Sequence, residues 1–332
     1  MKRRRNYSLK SNNTFGIDAT AKEFVEYDSV QELMDIIPEF QGHKVLHIGG
    51  GSNLLFTGDF DGIVLHSNIK GIDVIEEKSD YVELRVGAAE VWDEFVEYAV
   101  NKGWSGVENL SLIPGEVGAA AVQNIGAYGT EVKDVITDVE AIDLTTAESK
   151  TFKNAECQYA YRKSVFKTSM RGKYAVTYVR VRLSKIFVPN ISYGNIAHAL
   201  SAAEVTPKTV RQAIIDIRNA KLPNPKVMGN AGSFFVNPVV SNVKFEQLRS
   251  SYPDMPFYKV EGGVKIPAGW LIEQAGWKGR ALGRAAIHDK QALVIVNLGG
   301  AEADEIVRLS DVVRADVERK FGVSICPEVN FI

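Results

Sequence analysis

Cysteine is scarce in this chain, which holds only two among its 332 residues, Cys157 and Cys326. Two cysteines do not form the disulfide framework of a small secreted domain, and neither lies in a Cys-x-x-Cys pair or beside a histidine cluster. We therefore expect two free thiols, a reducing cytoplasmic location and no metal site.

Long apolar runs are also missing. No stretch approaches the roughly 20 apolar residues that a membrane-spanning helix needs, so we expect no membrane partner. The basic residues 2–5 are followed by Asn6-Tyr7-Ser8 rather than by an apolar segment, which argues against a secretory signal. The basic run is most simply a solvated arm, and the alternative is a targeting or nucleic-acid patch.

An excess of charge of one sign is missing as well, since the formal net charge is -2. Nucleic-acid binders usually carry a basic excess, so we expect no nucleic-acid partner. The 45% hydrophobic and 24% charged residues are typical of a globular protein, and 332 residues suggest two or three domains. We expect a monomer that acts on small molecules.

The periodicity of apolar residues predicts a strand-rich first half and an α+β second half, with a boundary near residues 190–205. Ser29 and Glu32 form a capping box for a short helix, and Thr206-Pro207 open a longer helix that ends before Pro223. The other predicted helices are 89–102 and 302–320, and the main predicted strands are 45–48, 61–66, 81–86, 135–143 and 174–183.

A first glycine-rich segment, residues 45–56, is a strand that enters the turn Gly49-Gly50-Gly51 and continues with Ser52-Asn53. Glycine tolerates positive φ and lets backbone N–H groups approach a phosphate. The dinucleotide-binding βαβ template fails here, because residue 54 is not glycine and a strand, not a helix, follows. An anion-binding nest and an ordinary hairpin turn are equally compatible with this segment alone.

A second glycine-rich segment, residues 111–129, contains small residues that cannot fill a core by themselves. A planar cofactor with a pyrophosphate tail would occupy the space they leave. The alternative is a buried small-residue helix packed closely on a sheet. The glycines are Gly115, Gly118, Gly126 and Gly129, and the candidate polar side chains are Ser111, Gln123 and Asn124.

Three further residues are candidates for catalysis. Arg162 lies among aromatic residues and is either structurally paired or placed to meet an anion, since burying an unpaired guanidinium costs several kcal/mol. Ser233 has no His–Asp partner and no nucleophile elbow, which favours proton donation over nucleophilic attack. If residues 232–237 are extended, Ser233 and Asn237 project to one face. Glu328 follows a proline in the apolar terminal stretch and is a candidate acid.

Together these segments resemble the UDP-N-acetylenolpyruvoylglucosamine reductase family. The matching motifs are Ile-Gly-Gly-Gly-Ser-Asn-Leu-Leu, Ile-Pro-Gly-x-Val-Gly-Ala, Gln-Asn-Ile-Gly-Ala-Tyr-Gly, Tyr-Arg, Gly-Asn-Ala-Gly-Ser-Phe-Phe-x-Asn-Pro and Pro-Glu-Val-x-Phe-Ile. The resemblance runs from Asn13 to Ile332.

The resemblance implies an α+β fold: a two-part FAD-binding domain of the vanillyl-alcohol-oxidase (PCMH) type and a C-terminal substrate-binding domain. The implied divisions are 1–72 with the returning tail 323–332, then 73–190, then 205–322. FAD is expected to be non-covalent, because Ser52 and Asn53 stand where some relatives attach it. The implied cofactor-binding residues are Gly49, Gly50, Gly51, Ser52, Asn53, Ser111, Pro114, Gly115, Gly118, Gln123, Asn124, Gly126, Ala127, Tyr128 and Gly129.

The resemblance also implies the reaction: NADPH reduces FAD, which reduces UDP-N-acetylglucosamine enolpyruvate to UDP-N-acetylmuramate in peptidoglycan precursor synthesis. Arg162 and Glu328 would stabilise the developing negative charge, and Ser233 would donate the proton. The implied substrate-binding residues are Tyr193, on a loop of the mobile-tyrosine type, Lys221 and Asn237. The alternatives are an oxidase or dehydrogenase of the same fold and a flavin-binding module without turnover.

Overall fold

The structure, a computed structural model, describes residues 1–200 and 204–332, so residues 201–203 of the predicted linker lie outside the described residues. The chain divides into two compact units, which we name by their position. The N-terminal unit comprises Met1–Tyr7, Ala21–Gly50 and Phe60–Ala220, and the C-terminal unit comprises Ser8–Thr20, Gly51–Asp59 and Lys221–Ile332.

The elements are numbered in chain order. The strands are β1 (Lys2–Ser8), β2 (Thr20–Tyr27), β3 (Val45–Ile48), β4 (Leu54–Leu55), β5 (Phe60–Ser67), β6 (Ile72–Glu77), β7 (Tyr81–Gly87), β8 (Gly126–Ala127), β9 (Thr130–Glu131), β10 (Ile136–Asp143), β11 (Ser149–Lys153), β12 (Tyr174–Ser184), β13 (Gly229–Ser233), β14 (Val239–Val240), β15 (Tyr258–Val260), β16 (Gly263–Lys265), β17 (Ala281–Leu282), β18 (Ala285–Ile287), β19 (Val294–Asn297) and β20 (Asn330–Phe331). The α-helices are α1 (Val30–Ile36), α2 (Trp92–Asn101), α3 (Val117–Gln123), α4 (Ile196–Ala199), α5 (Pro207–Lys221), α6 (Asn242–Ser251), α7 (Ala268–Gln274) and α8 (Ala303–Phe321).

Two main sheets form the N-terminal unit. One has the strand order β1-β2-β5-β3, in which β5 runs parallel to both β2 and β3. The other is antiparallel, with the order β11-β10-β12-β7-β6. Helix α1 packs Leu33 and Ile36 into the core of the first sheet, and α2 packs Trp92, Phe95 and Val96 into the core of the second. Each helix therefore buries its apolar face on a sheet.

Local rules place several elements correctly. The N-cap half of the predicted capping box is confirmed, because the Ser29 hydroxyl accepts from Glu32 N at 3.2 Å. The Glu32 carboxylate accepts from Asp28 N at 2.8 Å, one residue before the N-cap, so the reciprocal half is displaced. Helix α8 ends at Gly322 with φ +60, the left-handed cap that glycine favours. The prediction that the basic run is a solvated arm is wrong. Residues 2–5 belong to the exposed strand β1, where Arg3 pairs with Glu39 at 2.6 Å.

Helix α2 begins at Trp92, three residues after the predicted start at 89. The backbone N–H and C=O groups just before this helix form hydrogen bonds with residues outside it. Ala88 N donates to Thr177 O at 2.9 Å, and the carbonyl oxygens of Ala88 and Glu90 accept from Gly118 N and Val117 N, each at 2.9 Å. These bonds to distant residues compete with the first helical turn, so the helix starts later than its apolar pattern predicts.

The C-terminal unit contains the sheets β13-β19-β18-β17 and β14-β16-β15 and the short parallel pair β20-β4. Its core is built on α7 and α8 and includes Phe15 from the early segment Ser8–Thr20. Asn297 Nδ2 donates to Phe15 O at 2.9 Å. A Cβ at Gly229 would lie 2.3 Å from that same carbonyl oxygen, so the close approach requires glycine.

The observed division differs from the predicted one. Most of the residues predicted as two FAD subdomains form one unit, but Ser8–Thr20 and Gly51–Asp59 belong to the C-terminal unit. Helix α5 as far as Ala220 joins the N-terminal unit rather than the substrate domain. The reason is local packing: Val210 and Ile214 of α5 share a core with Ile196, and Arg211 pairs with Asp93 at 2.6 Å. The terminal residues belong to the C-terminal unit, because β20 pairs with β4. Among the described residues, no helix is long and apolar enough to cross a membrane.

Candidate active site

The three glycines of the first glycine segment differ in how much room they leave for a side chain. A Cβ at Gly49 would lie 3.1 Å from the Cβ of Ala119, and a Cβ at Gly50 would lie 3.5 Å from the Cα of Gly115. In the C-terminal unit, Gly51 has φ +63, and a Cβ there would lie 1.9 Å from Asn12 O. Gly51 therefore requires glycine, a Cβ at Gly49 would be tight, and a Cβ at Gly50 would make an ordinary contact.

The second glycine segment is fixed to the residues that follow β7. Gly115 O accepts from Trp92 N at 3.0 Å, and a Cβ at Gly118 would lie 2.8 Å from the Cβ of Ala88. The small-residue helix α3 that begins here buries Ala120 and Ala121, so the alternative of a packed small-residue helix describes part of the segment. Gly50 approaches the backbone of Gly115, and the Glu116 carboxylate lies against both Gly49 and Gly50. Such a cradle fits the pyrophosphate of a dinucleotide.

A tight hairpin follows α3. Strands β8 and β9 are joined by Tyr128 and Gly129, with φ of +48 and +79, the left-handed pair that a two-residue turn requires. Asn109 Nδ2 donates to Tyr128 O at 2.9 Å and to Asn190 O at 2.8 Å. The loop that carries the exposed Tyr193 is thereby fixed beside the hairpin, and a Cβ at Gly129 would lie 3.5 Å from the Cβ of Tyr193.

Arg162 occupies the left-handed region, with φ +57, which is uncommon for a residue with a side chain. Its guanidinium donates to Gly126 O at 2.5 Å and to Asn124 O at 3.4 Å, and it packs over the ring of Tyr161 at 5.4 Å from the centroid. These bonds orient the guanidinium, which is partly buried. A preoriented arginine is suited to binding a carboxylate.

Asn124 is fully buried and serves this arrangement. It ends α3 with φ +47, and its Nδ2 donates to Ala160 O at 2.9 Å and to the Glu131 carboxylate at 3.1 Å. Its Oδ1 accepts from Lys133 N at 3.2 Å. The Asn124 side chain is therefore held by hydrogen bonds, and these position the carbonyl of Asn124 that accepts from Arg162. Its contact with a cofactor stays a prediction.

Sequence reasoning missed Arg218, on α5. Its Nε atom is buried and has no hydrogen-bond partner among the residues that the structure describes. Burial lowers the pKa of this guanidinium, the positive charge of Arg162 lowers it further, and Tyr128 and Asp93 oppose both effects. The signal was present in the sequence, because Arg218 follows Ile214 by four residues and so lies on the apolar face of α5. Two nearby guanidinium groups make this region electropositive.

Ser233 and Glu328 lie close together within the C-terminal unit. Ser233 ends β13 and is exposed, and the next residue, Phe234, accepts at its carbonyl from Glu328 N at 2.8 Å. The expected alternation over 232–237 is wrong. The strand ends at Ser233, after Gly232 with φ +68, and Phe234 and Phe235 are both buried in the core.

Glu328 also meets the end of the first glycine segment. Asn53 Nδ2 donates to Glu328 O at 3.3 Å, and Asn53 O accepts from Asn330 N at 3.1 Å. These bonds continue the pairing of β20 with β4. Ser233, Glu328 and Asn53 therefore come together in the C-terminal unit from three distant parts of the sequence.

The remaining predicted residues have defined surroundings. Asn237 Oδ1 accepts from Ala268 N at 2.9 Å at the start of α7. Lys221 is exposed at the end of α5. The buried Ser111 hydroxyl donates to Glu108 O at 2.6 Å, and Gln123 Oε1 accepts from Lys167 Nζ at 3.1 Å. Their roles towards ligands stay predictions. No cluster of three metal-ligating side chains occurs in residues 1–200 and 204–332.

Comparison with known proteins assigns the family. The family model described as "UDP-N-acetylenolpyruvoylglucosamine reductase, C-terminal domain" matches residues 224–332, and the one described as "FAD binding domain" matches residues 21–151. A UDP-N-acetylenolpyruvoylglucosamine reductase of Bacteroides fragilis is 56% identical over 329 residues, which cover 98% of this chain and 99% of that protein. The chain belongs to the UDP-N-acetylenolpyruvoylglucosamine reductase family. The predicted resemblance is thus confirmed.

Other members of the reductase family agree over the same length. The reductase of Flavobacterium johnsoniae is 47% identical, and the two chains cover 98% of each other. The crystal structure of the reductase from Thermus caldophilus aligns with a TM-score of 0.70 at 23% identity, over 99% of this chain and 98% of that one. This structural likeness and the match to an FAD-binding domain confirm the predicted fold class.

Proposed function

We propose that this chain reduces UDP-N-acetylglucosamine enolpyruvate to UDP-N-acetylmuramate, with FAD as bound cofactor and NADPH as reductant, in peptidoglycan precursor synthesis. The observation that carries the proposal is the near full-length identity of 56% to a reductase of this name. The FAD-binding match over residues 21–151 supports the cofactor. The cradle of Gly49, Gly50 and Gly115 supports its pyrophosphate position.

The cofactor-binding residues are proposed from this cradle. Gly49 to Asn53 and Pro114 to Gly118 hold the pyrophosphate, and Gln123 to Gly129 line the flavin. When bound, FAD would supply hydride transfer: it would take a hydride from NADPH and pass it to one carbon of the enolpyruvyl double bond. All other tasks in the reaction fall to residues of this chain.

Arg162 and Glu328 are proposed to stabilise the charge that develops on the substrate. Reduction of a double bond conjugated to a carboxylate places negative charge on the carbon next to that carboxylate. A guanidinium that is already oriented by Gly126 O and Asn124 O needs little reorganisation to meet this charge. Glu328 serves as a protonated or hydrogen-bonding partner.

Ser233 is proposed to donate the proton that completes the reaction. The proton passes from its Oγ to the carbon that carries the carboxylate, and the hydroxyl is then reprotonated from solvent. A serine hydroxyl is a weak acid, so the electropositive surroundings of the developing charge matter for this step. The exposure of Ser233 and its position beside Glu328 support the role.

Substrate binding is assigned to Tyr193, Lys221 and Asn237, to which we add Arg218. A dianionic diphosphate calls for cations and neutral donors. Lys221 supplies a point charge, and the buried guanidinium of Arg218 contributes positive potential. Tyr193 is 40% exposed on its loop, which we propose covers the bound substrate.

A spectroscopic titration tests the proposal. The purified protein should be yellow, anaerobic NADPH should remove the flavin colour, and UDP-N-acetylglucosamine enolpyruvate should restore it. Protein that NADPH does not bleach would contradict the proposal and favour a binding module. Rapid reoxidation by oxygen, with no response to the enolpyruvyl substrate, would favour an oxidase.

A cytoplasmic location and a monomeric state belong to the same proposal. Cys157 and Cys326 are free thiols, as is usual in a reducing compartment. Light scattering should give a mass near 36.6 kDa for the monomer. Twice that mass would contradict the monomer and leave the reaction assignment intact.

A further inference from the structure

A carboxylate lies directly against the glycines assigned to the pyrophosphate. Glu116 precedes α3, and its Oε2 is 3.1 Å from the position that a Cβ on Gly49 would take. Its Oε1 is 3.7 Å from the corresponding position on Gly50. Any anion held by these glycines lies within the range of Coulomb repulsion from this carboxylate, because Coulomb interactions reach about 8–10 Å at ordinary salt. An uncompensated Glu116 would therefore oppose the cofactor.

A histidine holds this carboxylate. His66 on β5 places Nε2 3.0 Å from Glu116 Oε1, and its ring stacks on Phe24 with 6.3 Å between centroids. The His66 side chain is only 18% exposed. Burial lowers the pKa of His66, but hydrogen bonding and charge from Glu116, and charge from Glu26, outweigh burial and raise it above its usual value.

The strands on both sides of β5 supply the other titratable groups that face His66. On β2, Glu26 lies 3.7 Å from Nδ1 and also pairs with Arg4 at 3.4 Å. On β3, burial lowers the pKa of His47 to about 4, and its Nε2 bonds with the Tyr27 hydroxyl at 2.7 Å. His47 is therefore neutral at neutral pH, whereas His66 lies between two carboxylates that favour its cation.

We propose that His66 is a positioning residue for the dinucleotide: its imidazolium neutralises Glu116 and so allows the pyrophosphate of FAD to bind beside that carboxylate. This inference rests on the proposed function, which assigns the pyrophosphate to Gly49, Gly50 and Gly115. The pair also links β5 to the start of α3, which holds the second glycine segment in place.

The direction of the pH dependence follows from the geometry. His66 is protonated below its raised pKa, so compensation is complete at low pH and is lost as the pH rises through that value. FAD affinity should therefore decrease as the pH rises through the raised pKa of His66. A protein without the Glu116 charge should show no such decrease.

The experiment measures flavin retention by the holoenzyme after ultrafiltration, at several pH values, with thermal melting as a folding control. In the wild type, flavin release should increase with pH. His66→Gln should weaken FAD binding about tenfold at low pH and remove the pH dependence. Glu116→Gln should retain FAD at least as tightly as the wild type and at every pH.

The double variant decides between compensation and simple structural support. His66→Gln with Glu116→Gln should restore FAD binding, because no charge is left to neutralise. Additive losses in the double variant, or a loss in Glu116→Gln equal to that in His66→Gln, would overturn the inference. If His66→Gln does not fold, the pH profile of Glu116→Gln against the wild type carries the same test. A wild-type profile flat in pH would overturn it.

The two proposals fail in different ways. Protein that binds no FAD at any pH contradicts the proposed function itself. Protein that binds FAD, is bleached by NADPH and is unaffected by these substitutions leaves the function in place and removes the role of His66. His47→Gln serves as a matched control, since a neutral histidine on the neighbouring strand should leave the pH dependence unchanged.

Discussion

At the scale of single residues, the left-handed backbone of Arg162 is the most informative feature. Such a conformation costs free energy of order 1 kcal/mol or more and persists only where the surroundings impose it. Arg162 has this backbone conformation with φ +57, and its guanidinium donates to the carbonyl oxygens of Gly126 and Asn124. The arrangement is the preorganisation that charge stabilisation requires.

Replacing this arginine should affect catalysis and not cofactor binding. Arg162→Met should lower kcat by about two orders of magnitude or more, because methionine removes the oriented positive charge. Lys163→Met, at the exposed neighbouring position, is the matched control. The readouts are steady-state kinetics and the flavin content of purified protein. Loss of flavin in Arg162→Met would mark the arginine as structural.

Arg218 leads to a separate prediction. Removing a largely desolvated cation should not destabilise the fold, because burying the charge is itself costly. Arg218→Met should therefore keep or raise the melting temperature and increase KM for the UDP-linked substrate. A lower melting temperature with unchanged KM would show that Arg218 supports the structure instead. Arg211→Met, which breaks the ion pair with Asp93, provides the comparison on the same helix.

At the scale of elements, the junction between β7 and α3 governs the cofactor cradle. Gly118 N bonds to Ala88 O at 2.9 Å, and the two residues have no space for another methyl group between them. The start of α3 is therefore fixed by backbone contact with residues about thirty positions earlier in the chain. Gly118 is therefore required by this close contact with Ala88, in addition to any contact with the cofactor.

A methyl group at this junction tests its importance. Gly118→Ala should reduce the free energy of unfolding by about 1–3 kcal/mol and weaken FAD binding, because the added Cβ would lie 2.8 Å from that of Ala88. Gly58→Ala is the control, since a Cβ there meets nothing within 4 Å. Chemical denaturation and flavin fluorescence are the measurements. Equal stability of the two variants would contradict the account of the junction.

At the scale of the whole molecule, the sequence rules succeed where a few neighbouring residues decide the outcome. Ser29 with Glu32 predicts the start of α1, and Gly322 predicts the end of α8. They fail where distant residues decide it. The late start of α2 depends on Gly118, and the pKa of Arg218 depends on Tyr128 and Asp93, which lie far from it in the sequence.

The candidate site shows the same limit. Motif resemblance identified Ser233, Glu328 and Asn53, but their proximity comes from backbone bonds that join residues more than ninety positions apart. The units also draw on distant segments, since Ser8–Thr20 packs with the C-terminal unit. Periodicity alone does not predict such pairings, because it reports which face is buried and not the partner that buries it.

The proposed reaction depends on Ser233 as the donor of the proton that completes reduction of the enolpyruvyl substrate. The direct test is single-turnover kinetics of Ser233→Ala, with Ser250→Ala as a surface control. We expect normal bleaching of the flavin by NADPH, followed by reoxidation by the enolpyruvyl substrate that is slowed by about two orders of magnitude or more. Reoxidation at the wild-type rate would contradict this role of Ser233.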